Sequence, residues 1–312
     1  MKKVQFIRFA KSAILMASAT LFLFCSCEKY DAFLERQMKI DDEKLKTYIN
    51  AQSVPFQKHS SGFYYSTVNS NPTGTQLRSG DIVKFRYSIS LLNGTLIEST
   101  ITGNTQPSYF KLGTYSIIPQ ALDYGINIMK TGEKYRFIVP SYLAFGSYAS
   151  DDFPTNSNFI IDIVAIGAMT ETQMDDIQRD SLATFMAANY PTYQNYASGL
   201  YFVDSIPGTG DKPFYGQQVT IDFKRKYLNN VLIKSSNDVT FFLNSNRAVE
   251  GLEEGLRLMK QNGTALLFMP SSIAFGHSVC VIPEKSYYYG LIGSDARPYS
   301  IVKYVVKLKA VN

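Results

Sequence analysis

The chain has 312 residues, 45% of them hydrophobic and 18% charged, with a formal charge of +5. That balance is globular, and the length suits two domains with separate cores. Without Lys2, Lys3, Arg8 and Lys11, which sit in a leader, the charge is about +1, excluding an electrostatic nucleic-acid binder.

The leader opens on those basic residues and runs through the apolar segment SAILMASATLFLFCS to Cys27. The segment falls short of the roughly 20 apolar residues that span a bilayer. With Ser26 before it, Cys27 resembles the lipid-modified cysteine of a bacterial lipoprotein, although Phe24 stands where such signals usually carry Leu. Residues 1–27 are therefore expected to be a signal peptide ending at lipidated Cys27, beside the alternatives of an uncleaved anchor and ordinary secretion. The expected location is a bacterial cell envelope, the outer membrane rather than the inner, with a lipid anchor to the membrane. Residues 28–40 read as a polar tether.

After processing, Cys27 and Cys280 are the cysteines left, and a lipidated Cys27 cannot pair. Cys280 then serves packing rather than reactivity, with His277 the one base at hand. Two histidines without clustered ligands argue against a metal site or a His-based triad, and no cofactor is expected.

The first folded segment, 41–169, begins with a helix from Asp42 to Ala51 that puts Leu45, Tyr48 and Ile49 on one side. SGFYYSTVN from Ser61 reads as a strand, and NPTG at Asn71 to Gly74 as a turn. After Gly80, Val83, Phe85, Tyr87 and Ile89 alternate with Lys84, Arg86, Ser88 and Ser90, the period of a half-buried strand. Asn93-Gly94 marks a hairpin, and Leu96 and Ile97 return from it. FKLGTYSIIPQALDYGINIMKTGEKYRFIVPSYLAFG, from Phe110 to Gly146, then supplies strand, helix, turn, strand and loop. Its helix places Leu122, Ile126 and Met129 at i, i+4, i+7, one buried face. A last strand alternates Phe159, Ile161 and Ile163 with Ile160, Asp162 and Val164.

Near Thr170 the pattern restarts and fills 170–312. Leu182, Phe185 and Met186 repeat Leu45, Tyr48 and Ile49, and the hairpin at Asn229-Asn230 repeats Asn93-Gly94. FFLNSNRAVEGLEEGLRLMKQNGTALLFMPSSIAFG, from Phe241 to Gly276, repeats the central stretch with Leu252, Leu256 and Met259 on its helix. Whole-domain correspondence of this kind is duplication, with a period too long for a solenoid. The second copy alone carries a long loop insertion at about 277–297. Its Tyr287, Tyr288 and Tyr289 offer a contact surface for peptide or glycan, although packing over their own domain is the simpler reading.

The run from Gly80 through Ile163 is similar to the FKBP-type peptidyl-prolyl isomerases, through GDIVKFRYSISLLNGTLIEST, the stretch ending AFG, and FPTNSNFIIDIV. The second copy matches through GQQVTIDFKRKYLNNVLIKSS, its own AFG, and the strand around Tyr304. The resemblance implies an α+β fold of two tandem domains. Each is an antiparallel curved sheet wrapped on one short helix, and each has an extra leading helix. It also implies isomerisation of X-Pro bonds in polypeptide clients, a reaction needing neither metal nor cofactor. The catalytic positions would be Tyr87, Glu98 (where the family usually has Asp) and Phe145. Ile97, Ile117, Ile118, Leu122, Phe153 and Ile161 would bind substrate in the first domain. In the second, Phe223, Ile233, Lys234, Ala248, Val249, Leu252, Phe275 and Tyr304 match those positions.

Both copies depart from the family pattern. Leu122 and Leu252 replace its pocket-floor Trp, and Ile97 and Ile233 its Phe after the hairpin. Phe145 and Phe275 replace the Tyr of its AYG motif, and Lys234 reverses the charge of its acid. The first copy also has one extra residue between Ile118 and Gly125. Burial in any sheet-and-helix core would equally account for Ile117, Ile118, Leu122, Phe153 and Ile161. The leading expectation is an envelope prolyl isomerase or folding helper, with the first domain the active copy. The alternatives are a non-catalytic binding or chaperone lipoprotein, and a surface or glycan binder using the Tyr287 loop.

Overall fold

The computed structural model describes residues 32–103, 105–289 and 296–312, with the side chains of 287–289 outside the described set. The expected signal peptide, with Cys27, and the Tyr287–Tyr289 side chains thus lie outside the described residues.

The first helix, α1, spans residues 32–50. Residues 32–40, expected as a polar tether, are helical and largely exposed, because AFLERQMKI holds no Gly or Pro and mostly straight-chain helix formers. Asp41 and Asp42, read as the helix start, lie inside it. Leu45 is buried and packs with Tyr48, Ile49, Tyr64 and Ile138.

Eight strands follow in the first domain: β1 (Gln57–Lys58), β2 (Tyr64–Asn69), β3 (Ile82–Leu91), β4 (Leu96–Ser99), β5 (Ser108–Lys111), β6 (Ile117–Ile118), β7 (Lys134–Val139) and β8 (Phe159–Met169). Seven form one antiparallel sheet in the order β1-β2-β7-β8-β3-β4, with β5 also on β3. Strict alternation makes β3 central: Val83, Phe85, Tyr87 and Ile89 are buried, and Lys84, Arg86 and Ser88 half-buried on the other face. Helix α2 (Ala121–Asn127) buries Leu122 and Ile126, and Met129 is buried just beyond its end. A Cβ on Gly125 would stand 2.6 Å from the Phe137 ring, so glycine is what lets this helix meet the sheet.

The second domain repeats the plan with α3 (Glu171–Asn189), β9 (Gln194–Asn195), β10 (Tyr201–Ile206), β11 (Gln218–Tyr227), β12 (Leu232–Phe242), α4 (Glu250–Leu258), β13 (Thr264–Met269), β14 (Cys280–Val281) and β15 (Val302–Val311). Its sheet runs β12-β11-β15-β13-β10-β9, the unbroken β12 covering the ground of β4 and β5. Thr170 opens α3 with a capping box, its hydroxyl accepting from Gln173 N–H while the Gln173 side chain accepts from Thr170 N–H. Gly255 meets Leu267 as closely as Gly125 meets Phe137.

Each leading helix is fastened to the site loop of its own domain by one buried polar side chain. Asp41 accepts hydrogen bonds from Ser141 N–H at 3.1 Å and Ser141 Oγ–H at 2.6 Å. Gln178 accepts from Ser271 N–H at 2.6 Å. The two domains also touch one another, through buried Ile82, Met174 and Tyr299. β14 leaves its own domain altogether and pairs in parallel with β6, Cys280 beside Ile117 and Val281 beside Ile118. The Ile118–Pro119 and Ile282–Pro283 bonds are both cis. The stretch Cys280–Val281 of the long loop thus pairs with the first domain.

Candidate active site

Cross-strand register shows that the two sites are built alike. Tyr87 pairs with Ile163, and Ile89 with both Ile161 and Glu98. In the second domain Phe223 pairs with Val306, and Arg225 with both Tyr304 and Lys234. Tyr87 thus corresponds to Phe223, Ile89 to Arg225, Glu98 to Lys234 and Ile161 to Tyr304. The strands converge on α2 or α4, with the AFG loop beside them.

In the first domain Tyr87, Ile117, Leu122, Phe153 and Ile161 fall in one buried cluster, with Ile97 and Phe145 packed against it. The Phe145 ring centroid lies 4.8 Å from Phe153 and 5.6 Å from Phe159. The same cluster contains Cys280 and Ile282 of the second domain's loop, and Ile282 has no exposed surface. Cys280 N–H donates to Ser116 O at 2.8 Å and Ile282 N–H to Ile118 O at 2.9 Å. Glu284 N–H donates to Glu98 Oε1 at 2.8 Å and to the Tyr87 hydroxyl at 3.2 Å. The Tyr87 hydroxyl itself donates to Glu98, so that carboxylate is a pocket group and not a solvated hairpin acid.

Burial, and then the Glu98 carboxylate, push the Tyr87 hydroxyl well above the ordinary phenol range and keep it a neutral donor. Burial likewise pushes the Cys280 thiol up, which makes it a packing group. Fully burying a side chain like that of Ile282 stabilises by about 1.5–3 kcal/mol, and each backbone hydrogen bond adds about 1 kcal/mol. The first pocket is therefore filled. Its occupant comes from the other domain.

In the second domain the corresponding positions line a cavity of about 330 Å³, among them Phe223, Lys234, Ala248, Val249, Leu252, Phe275 and Tyr304. Ile233 packs at the edge of that domain's core and is not among the lining residues. Phe223 and Tyr304 hold their ring centroids 5.6 Å apart. Arg225 is 5% exposed; its guanidinium lies 4.3 Å from the Phe275 ring centroid and donates to the Tyr304 hydroxyl at 3.3 Å. Arg247 adds another cation to the lining. Arg225 was legible in principle, since it occupies an inward position of β11 after Val219, Ile221 and Phe223.

The family model for FKBP-type peptidyl-prolyl cis-trans isomerases matches residues 74–166 and 210–309, one segment in each domain. The chain belongs to this family. It is 31% identical over 114 residues to the FKBP-type peptidyl-prolyl cis-trans isomerase FkpA of Aeromonas hydrophila, covering 36% of this chain and 41% of that protein. With FK506-binding protein 2 of Dictyostelium discoideum it is 38% identical over 91 residues, 29% of this chain and 67% of the relative. The crystal structure of FkpA from Escherichia coli aligns with a TM-score of 0.36 and 23% identity, over 49% of this FKBP-type chain and 71% of that one.

Proposed function

We propose that the protein is a peptidyl-prolyl cis-trans isomerase, held in the bacterial outer membrane by lipid on Cys27, and that client proline enters the second domain. The observation behind this reading is the cavity of about 330 Å³ at the second site, where the first holds Ile282. Rotation about a peptide bond faces a barrier of about 18–20 kcal/mol from amide resonance. No nucleophile is needed to lower it. An apolar pocket that grips the proline ring favours the twisted amide, whose resonance is lost, over either planar form. Phe223, Val249, Leu252, Phe275 and Tyr304 supply that grip, and Arg225 orients the Tyr304 hydroxyl at the rim.

An X-Pro peptide assay on the full chain tests it. Phe223→Ala or Leu252→Ala is expected to lower kcat/KM about tenfold, roughly 1.4 kcal/mol of lost transition-state binding. A wild-type rate equal to the uncatalysed one overturns the enzyme reading. Activity that survives Phe223→Ala and falls in Phe145→Ala moves the assignment to the first domain. Arg225 in place of Ile89 favours a second reading, a non-catalytic peptide-binding chaperone, for which the chain suppresses client aggregation without changing isomerisation.

A further inference from the structure

The segment Cys280–Glu284 occupies the first pocket. Cys280 and Val281 are extended and hydrogen-bonded along β6, and the chain then bends at Ile282 and Pro283. The isoleucine lies in the apolar cluster, and the N–H after the proline reaches Glu98. Pro283 is buried with it. Outside the pocket, Lys285 pairs with Asp152 at 2.5 Å and Glu284 with Arg297 at 2.5 Å. These ion pairs are half-exposed and weak. Behind the segment, Cys280, Val281 and Glu284 border a cavity of about 410 Å³ shared with Tyr109, Tyr227 and Tyr299. One face of the segment is thus packed and the other borders a void. The contact among Ile82, Met174 and Tyr299 joins the domains independently of it.

We propose that the first pocket is a peptide-binding site occluded by its own chain, and that external strands carrying an aliphatic residue before proline compete with Cys280–Glu284 for it. The resident segment defines the ligand class. A β-branched or other aliphatic side chain enters the buried cluster that holds Ile282, proline follows, and the next N–H reaches Glu98. Because the occupant is tethered, its effective concentration is of millimolar order, so external ligands meet a pocket that is competent only part of the time. The inference rests on the family assignment and not on turnover, and it concerns the other pocket from the one proposed to be catalytic.

The test uses the full chain and a fluorescent Val-Ser-Val-Ile-Pro-Glu-Lys-Ser peptide, which copies residues 279–286 with serine in place of the cysteine, read by fluorescence anisotropy. Ile282→Gly releases the occupant without altering the pocket walls and is expected to tighten binding at least about tenfold. Adding Glu98→Lys, which copies Lys234 of the second domain, is expected to abolish that gain. Wild type binding as tightly as Ile282→Gly, or a gain that persists with Glu98→Lys, overturns the proposal. Should Ile282→Gly fail to fold, hydrogen exchange on wild type decides. Millimolar peptide should speed exchange at Ile282 and Glu284, and unchanged protection counts against competition.

Discussion

At one site Tyr87 meets Glu98 over a floor of Leu122; at the other Phe223 meets Lys234 over a floor of Leu252. The registers at the site positions and the helix glycines beneath them correspond. What separates the two is the chain after AFG. In the first copy it runs from Gly146 to Asn158 and returns Phe153 to its own pocket, against Phe145. In the second it runs from Gly276 to Ile301, and its Cys280 and Ile282 lie in the neighbour's buried cluster. Duplication preserved the scaffold, and one longer loop changed which copy is covered. Loops diverge in this way because they leave the core packing untouched.

The sharpest way to break the comparison is to exchange Ile89 and Arg225. Ile89→Arg places a cation at a position with no exposed surface and is expected to cost at least about 3–5 kcal/mol, enough to unfold the first domain in a denaturant titration. Arg225→Ile, the reverse change, should leave the second domain as stable or more so, since similar-volume apolar residues often replace buried ions without loss. If Ile89→Arg melts like wild type, the first site takes a cation as readily as the second, and the contrast between them fails. A smaller contrast lies in the leading helices. Asp41→Ala removes the carboxylate acceptor of Ser141 Oγ–H, while Ser141 N–H keeps Asn158 Oδ1 at 2.8 Å, and should cost about 2–3 kcal/mol, the range for a bond to a charged group. Gln178→Ala removes two uncharged bonds, the acceptor of Ser271 N–H and the donor to Tyr299 O at 2.7 Å, and should cost about 1–2 kcal/mol, also by denaturant titration. Equal losses would mean that the charge on Asp41 adds nothing.

Much of this architecture was legible because each local signal agreed with the fold. The period-2 run from Val83 to Ile89, the Asn93-Gly94 turn and the i, i+4 stripes on both short helices each indicate one structure. The start of α1 is hidden in the sequence because Asp41 and Asp42 look like an N-terminus. Asp41 instead points inward to Ser141, and a polar side chain facing a buried amide leaves no periodic trace. Arg225 carried a usable signal, a charge at an apolar-face position. The destination of CVIP carried none. A short apolar run in a loop says that it will be covered, and only three-dimensional packing decides by which surface. Here the chain at β6 offered backbone acceptors at Ser116 and Ile118 beside the cluster that buries Ile282.

The smallest expected contrast is in acid. Asp162 of β8 pairs with Arg136 at 2.7 Å and Lys134 at 3.2 Å, while the matching position on β15 is Val305, opposite Leu266. Burial opposes ionisation of Asp162, but Arg136 and Lys134 outweigh it and hold the carboxyl below the usual carboxylate range. A carboxyl lowered in the folded state binds its proton more weakly there than in the unfolded chain. Its contribution is complete above the ordinary Asp value near 4, and is lost as pH falls through the lower folded value. Asp162→Val, which copies the second domain, should therefore flatten the acid limb of the first domain's stability profile below about pH 4 and leave the second domain's limb unchanged. Calorimetry between pH 7 and pH 2.5 would resolve this. An acid limb equally steep in wild type and variant would show that the pair with Arg136 contributes no more than an exposed ion pair.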